Sequence, residues 1–329
     1  MAADRPRVLV TWRLPSAVLE PLEEQCAVDI HTGATPLEPA ELRSRLADKH
    51  AVLAVLTNRY ERETFAAAPR LKIVANIAVG FDNVDVAAAA QYGIIVTNTP
   101  DVLTEATADL TMALMLDIAR RVTEGDRLIR RGGWTGWSLD FMLGTDLRGK
   151  RLGIVGAGRI GRAVARRAVA FGLDVVVARR DDRAEGEAVL GDGLRVPALA
   201  LETLLSSSDF VSLHLPLNAR TRHIIDQRAF ARMKRSAFLV NTGRGSLVDE
   251  SALVWALREH VIAGAALDVF EQEPNVHADL LQFDNVVLAP HIGSATRETR
   301  TAMAVLAVRN VLAVLSGRAP LTPVTSPAT

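Results

Sequence analysis

Several features are scarce or missing, and each gap closes off a class of protein. Cys26 is the one cysteine, so no intrachain disulfide can form and a reducing compartment is permitted. Neither charge dominates: 38 basic residues face 38 acidic ones, leaving no general field to attract nucleic acid or an acidic membrane. H-E-x-x-H and C-x-x-C are absent and the seven histidines are dispersed, so no metal site is expected. No apolar run is long enough to span a bilayer, because Asp109 and Asp117 interrupt the best candidate. The opening MAADRPRVLVTW enters a strand-like run without a signal-peptide region. The expectation is a cytoplasmic protein with no nucleic-acid and no membrane partner.

What the chain does have is Lys150–Arg180, KRLGIVGAGRIGRAVARRAVAFGLDVVVARR. Arg151–Val155 reads as a buried strand, Gly156, Gly158 and Gly161 spell G-x-G-x-x-G, and Arg159–Ala170 has helical spacing that Phe171-Gly172 ends. Asp174–Ala178 is a second, β-branched strand. Strand, glycine turn, helix and strand within about thirty residues form a dinucleotide-binding unit. Gly156 permits the tight turn, Gly158 the approach of a pyrophosphate, and Gly161 close packing of helix on strand. Arg159 and Ile160 open the helix, whose N-terminal N–H groups suit phosphate. The usual acidic residue ending the second strand is replaced by Arg179, with Arg180 next. Guanidinium groups suit a 2′-phosphate, so NADP(H) is the expected cofactor. Asp181 and Asp182 follow and can reach a ribose, which keeps NAD(H) open.

The alternation extends in both directions. Strand-like runs at Arg7–Thr11, Val52–Thr57, Lys72–Ile77 and Ile94–Thr97 precede the motif. Asp209–Leu213, Ala237–Asn241, Ala263–Asp268 and Asn285–Ala289 follow it, with helical stretches between. This predicts an α/β protein of two doubly wound parallel sheets. Thr99-Pro100-Asp101 marks a boundary. The Pro/Thr/Ser-rich tail, Pro320–Thr329, is expected to fray. Arg131–Gly144 is glycine-rich and holds Trp134 and Trp137, so it is expected to cover a site or a partner subunit.

Ligands of open α/β sheets bind beyond the carboxyl ends of strands. Those ends carry Thr242 and Arg244, then Asp268 and Glu273, then His291, Gly293 and Ser294. Arg244 can hold a carboxylate or polarise a carbonyl through parallel hydrogen bonds. His291 can exchange the proton that accompanies hydride transfer. Glu273, paired with it, would fix the tautomer and favour the charged ring. His214, in SLHLP, also ends a strand, but has no evident carboxylate partner and reads as structural or cofactor-side.

NTGRGSLVDE, ALDVFEQEP and APHIGSAT, in that order after GAGRIG, resemble the D-isomer-specific 2-hydroxyacid dehydrogenases over nearly the whole chain. The resemblance implies a catalytic set of Arg244, Glu273 and His291. It implies that N–H groups of Val79-Gly80, in NIAVGFDNVD, hold the substrate carboxylate, with Ser294 nearby. Leu215-Pro216, Thr242, Asp268 and Gly293 would line the cofactor. It implies a discontinuous substrate domain of the flavodoxin-like kind, 1–100 plus 292–329, and a Rossmann domain, 101–291.

TPDVLTEATADL, GGWTGW and Arg179 resemble the glyoxylate/hydroxypyruvate reductase branch. The expected reaction is reduction of a small 2-oxoacid to the D-2-hydroxyacid by a homodimer, with Trp137 (or Trp134) of one subunit reaching the other's pocket. Another 2-oxoacid, 3-phosphoglycerate or phosphite are the alternative substrates. A different class, a dinucleotide-sensing corepressor-like scaffold, shares the fold.

Overall fold

Short apolar runs of three to five residues build both sheets. The computed structural model describes residues 5–179 and 186–324, and the chain divides into two compact units. One comprises 1–103 and 294–329, the other 104–293.

In the first unit the strands are β1 (Arg7–Val10), β2 (Ala27–Ile30), β3 (Ala51–Ala54), β4 (Ile73–Asn76) and β5 (Ile95–Thr97). They run parallel in the order β2-β1-β3-β4-β5, the flavodoxin-like arrangement. Successive side chains of a strand leave on opposite faces. Leu9, Val52, Ala54 and Val74 therefore pack with Leu42, Leu46 and Phe65. Val8, Val10, Leu53 and Ile73 pack with Ala304, Ala307, Val308 and Val311 of the returning helix Arg297–Leu315.

The chain beyond that helix does not fray at once. Val324 N–H donates to Val96 O at 2.8 Å, and Pro323 bridges Thr97. Buried Asn310 accepts the N–H groups of Leu321 and Thr322 at 2.8 and 3.1 Å. The expected fraying of Pro320–Thr329 is thus corrected for 320–324: composition suggested disorder, but a fully buried amide supplies the hydrogen bonds. The remainder lies outside the described residues.

In the second unit the strands are β6 (Arg151–Val155), β7 (Asp174–Ala178), β8 (Gly186–Val189), β9 (Arg195–Leu199), β10 (Phe210–Leu213), β11 (Phe238–Asn241), β12 (Gly264–Leu267) and β13 (Val286–Leu288). Their order is β13-β12-β11-β10-β6-β7-β9-β8, parallel except for the β8–β9 pair. The chain leaves β6 toward β7 and β9 on one side and returns to β10 on the other. That reversal creates the crevice where open α/β sheets bind ligands. Helices Thr104–Arg120 and Arg159–Ala170 cover one face, and Leu201–Ser207, Gln227–Arg232 and Glu250–Arg258 the other.

Candidate active site

The glycine turn after β6 is held by contacts that admit no side chain. Gly156 has φ +106°, and a Cβ there would stand 2.7 Å from the His214 carbonyl. At Gly161 it would lie 2.2 Å from Gly156 O. At Gly158 it would meet nothing within 4 Å, so the start of helix Arg159–Ala170 opens onto free space. Close packing behind the turn and clearance in front of it fit a pyrophosphate laid on the helix N-terminus. Arg159 is exposed there, while Ile160 packs against the core. Arg179, half-buried, follows β7 and donates its backbone N–H to Leu199 O at 2.9 Å. Arg180, Asp181 and Asp182 lie outside the described residues. Leu215 and Pro216 follow β10, where Pro216 O accepts from Thr221 Oγ1 at 2.7 Å.

The candidate catalytic groups stand at three neighbouring strand ends of this unit. After β11, Asn241 accepts the N–H of Gly243 at 3.1 Å and donates to Arg244 O at 2.9 Å, shaping the turn that carries Arg244. A Cβ on Gly245 would sit 1.9 Å from the Phe270 carbonyl carbon, so this turn presses directly on the segment leading to Glu273. After β12, Asp268 is buried and accepts Ile292 N–H at 2.7 Å and Gly293 N–H at 2.8 Å, one on each oxygen. Burial raises its carboxyl pKa against the pull of those donors and of His291. His291, after β13, has φ +52° and donates its backbone N–H to Asp268 O at 2.8 Å. Its Nδ1 lies 2.7 Å from Glu273 Oε2, while Glu273 Oε1 accepts Phe270 N–H at 3.0 Å. Burial opposes ionisation of Glu273, but the His291 hydrogen bond and charge, the Phe270 N–H and the Arg244 charge outweigh it. Its pKa is lowered, and it stays a carboxylate.

His214 is the other ring at a strand end. Burial pushes it down to about 4, its Nε2 meets Ser212 Oγ at 2.9 Å, and its Nδ1 is enclosed. A neutral, enclosed ring is a poor proton donor near neutral pH.

Two residues that sequence reasoning passed over brace the site. Thr107 Oγ1 donates to Gly293 O at 3.1 Å, and Thr111 Oγ1 shares a 2.9 Å hydrogen bond with Thr242 Oγ1. One turn apart on helix Thr104–Arg120, these buried hydroxyls tie it to both the Thr242 turn and the His291 segment. Their signal in the sequence was polar residues spaced by four inside an otherwise apolar face. Val79 and Gly80 follow β4 in the first unit, which also holds Ser294. Trp137, 79% exposed, and Trp134 lie in the irregular stretch after helix Val122–Arg130. Among the described residues no group of His, Cys, Asp and Glu could hold a metal, and no helix is long and apolar enough to cross a membrane.

A nucleotide cradle, an imidazole–carboxylate pair and a guanidinium are the equipment of a dinucleotide-dependent oxidoreductase. Comparison with known proteins narrows the class: residues 112–293 match the family described as D-isomer specific 2-hydroxyacid dehydrogenase, NAD binding domain. The chain belongs to that family. It is 49% identical over 321 residues to the glyoxylate reductase of Aeropyrum pernix, covering 96% of this chain and 95% of the relative. A solved protein from Thermus thermophilus superposes with TM-score 0.89 at 47% identity, covering 97% of this chain and all of that one. An NADPH-dependent glyoxylate/hydroxypyruvate reductase from Sinorhizobium meliloti, solved with NADP and malonate, gives TM-score 0.85 at 37% identity, covering 99% of this chain and 100% of that one.

Proposed function

We propose that this protein is an NADP(H)-preferring reductase of small 2-oxoacids, converting glyoxylate to glycolate and hydroxypyruvate to D-glycerate. The observation that carries the reading is the 2.7 Å pairing of His291 with Glu273, on the sheet edge that also presents Arg244 and the glycine turn. A bound nicotinamide supplies a hydride to C2 of the 2-oxoacid. His291 delivers the proton to the carbonyl oxygen from Nε2, because Nδ1 is engaged by Glu273. Charged, the ring is stabilised by that carboxylate; neutral, it is held in one tautomer. Arg244 donates to the substrate carbonyl and carboxylate and stabilises charge developing on the oxygen. After one hydride and one proton have added across the C=O bond, His291 is neutral and recovers its proton from solvent.

The 104–293 unit is the nucleotide-binding part in this reading, with Gly156, Gly158, Arg159, Ile160, Gly161, Leu215, Pro216, Thr242, Asp268 and Gly293 around the cofactor. The other unit, with Val79, Gly80 and Ser294, is the substrate-binding part. The NADP(H) preference rests on Arg179, and the dependence of the Sinorhizobium relative on NADPH supports it. A homodimer is supported by the apolar side chains exposed in one stretch, Val122, Ile129, Trp134, Trp137, Leu139 and Leu143, which a second copy would cover. Sedimentation should then report a dimer, and Trp137→Ala should relax selectivity for small substrates; a monomer with unchanged selectivity would remove that role.

Initial rates with NADPH and NADH against glyoxylate, hydroxypyruvate, pyruvate and a bulky 2-oxoacid test the whole reading. NADPH with glyoxylate or hydroxypyruvate should give the highest kcat/KM, and a clear preference for the bulky acid would overturn it.

A further inference from the structure

The turn after β4 has three successive backbone carbonyls tied down by hydrogen bonds. In a trans peptide the C=O and the following N–H point in opposite directions across one plane. Fixing a carbonyl from one side therefore aims the next N–H to the other. Three successive carbonyls are fixed in this way. Ala78 O accepts Thr99 N–H at 2.8 Å, Val79 O accepts Asn98 Nδ2 at 2.8 Å, and Gly80 O accepts Asn76 Nδ2 at 2.9 Å. The N–H groups set by these planes belong to Val79, Gly80 and Phe81, and among the described residues none of the three has an acceptor within the protein.

The clamp is itself fully bonded. Asn76 is buried, and its second amide hydrogen goes to Asn83 Oδ1 at 3.2 Å. Asn83 returns a bond to Asn76 Oδ1 at 3.3 Å and gives its other hydrogen to Asn58 O at 3.2 Å. Both amides thus spend all their donors, which fixes their orientation. Asn98 is held from the C-terminal side. Thr322 O accepts Asn98 N–H at 3.3 Å, and Thr322 Oγ1 donates to Asn98 O at 2.6 Å. Asn310 Nδ2 donates to that same hydroxyl oxygen at 2.8 Å. The series Asn310, Thr322, Asn98, Val79 joins the last helix to the turn.

We propose that Asn76, Asn98 and Thr322 are positioning residues that preset the N–H groups of Val79, Gly80 and Phe81 as a three-donor seat for the substrate carboxylate. This rests on the 2-oxoacid reading above and adds the Phe81 N–H and the segment around Thr322 to it. Successive backbone donors on one side of a turn make an anion-binding concavity. Donors held before binding cost no reorganisation when the anion arrives.

The test uses full-length Asn98→Leu, Thr322→Val and Thr322→Ser, with 2-oxoacid kinetics, NADPH affinity, and calorimetric binding of oxalate to the NADP-loaded protein. Asn98→Leu and Thr322→Val should raise KM for glyoxylate and Kd for oxalate about tenfold, the scale of one lost hydrogen bond. The kcat at saturation and the NADPH affinity should stay within about twofold, and Thr322→Ser, which keeps the hydroxyl, should behave like the wild type. Unmoved KM and oxalate affinity in folded variants overturn the proposal, as does a kcat loss at unchanged KM or a Thr322→Ser as impaired as Thr322→Val. Should Asn98→Leu not fold, the Thr322 pair decides alone. A wild type that reduces no 2-oxoacid defeats the functional reading, and oxalate binding then judges the clamp separately: no binding, or equal binding by wild type and variants, overturns it.

Discussion

Glu273 Oε2 stands 2.7 Å from His291 Nδ1, so the carboxylate and Nε2 lie on opposite sides of one ring. Glu273→Gln should lower kcat for 2-oxoacid reduction, because the ring loses its carboxylate partner, and His291→Ala should lower kcat about a hundredfold or more with NADPH affinity nearly unchanged. An unchanged kcat in the Gln variant would count against the dyad.

The hydroxyls of Thr107 and Thr111 bridge a helix to two site segments. Valine keeps their shape and removes the bond. Thr111→Val should lower stability by about 1 kcal/mol and also depress kcat several-fold through the Thr242–Arg244 turn, while Thr111→Ser restores both. Urea unfolding beside steady-state kinetics separates the outcomes; lost stability with intact kcat would make Thr111 merely structural.

Arg179 follows β7, where a ribose-binding carboxylate is usual in this fold. A charge-assisted hydrogen bond to a 2′-phosphate is worth about 1.5–3 kcal/mol, or roughly ten- to a hundredfold in preference. Arg179→Asp should invert the NADPH-over-NADH ratio of kcat/KM while leaving kcat at saturating cofactor similar. Wild-type preference for NADH would defeat the assignment.

His214 predicts an acid limb in stability. The folded ring takes a proton only near pH 4, whereas the unfolded chain takes one near 6.5. The unfolded state thus binds more protons between those values, so stability is full above about 6.5 and is lost as pH falls toward 4. At about 1.4 kcal/mol per unit the loss is at most about 3.5 kcal/mol, and less because the residue as a whole is only half-buried. Urea midpoints of the cofactor-free protein from pH 7 to 4.5 should fall less steeply for His214→Gln than for the wild type.

The nucleotide unit was readable to the residue: Arg151–Val155, Arg159–Ala170 and Asp174–Ala178 stand where the apolar runs and glycines put them. β2 was missed because AVDI is short and its side chains are only partly buried. Helix Ser16–Gln25 was hidden by the internal Pro21. Helix Val122–Arg130 buries no side chain, so its charged sequence gave no core pattern. At the site, Arg244, Glu273 and His291 could be read because each follows a recognisable strand. Asn98 and Thr322 could not be paired from the sequence. Their contact is made by two hydrogen bonds across a long stretch of chain, which local periodicity does not encode, and the four-residue spacing of Thr107 and Thr111 does not say which segments their hydroxyls meet.

The contact at Gly245 bears on how this protein can be diversified. With a Cβ there only 1.9 Å from the Phe270 carbonyl carbon, even alanine must drive apart the backbone carrying Arg244 and the backbone carrying Glu273. In a mutational library selected for turnover, codon 245 should stay glycine while the exposed codons of 134–143 drift freely in catalytic competence and change mainly which acids are accepted. The arginine and the dyad share one seam that has no room for a methyl group.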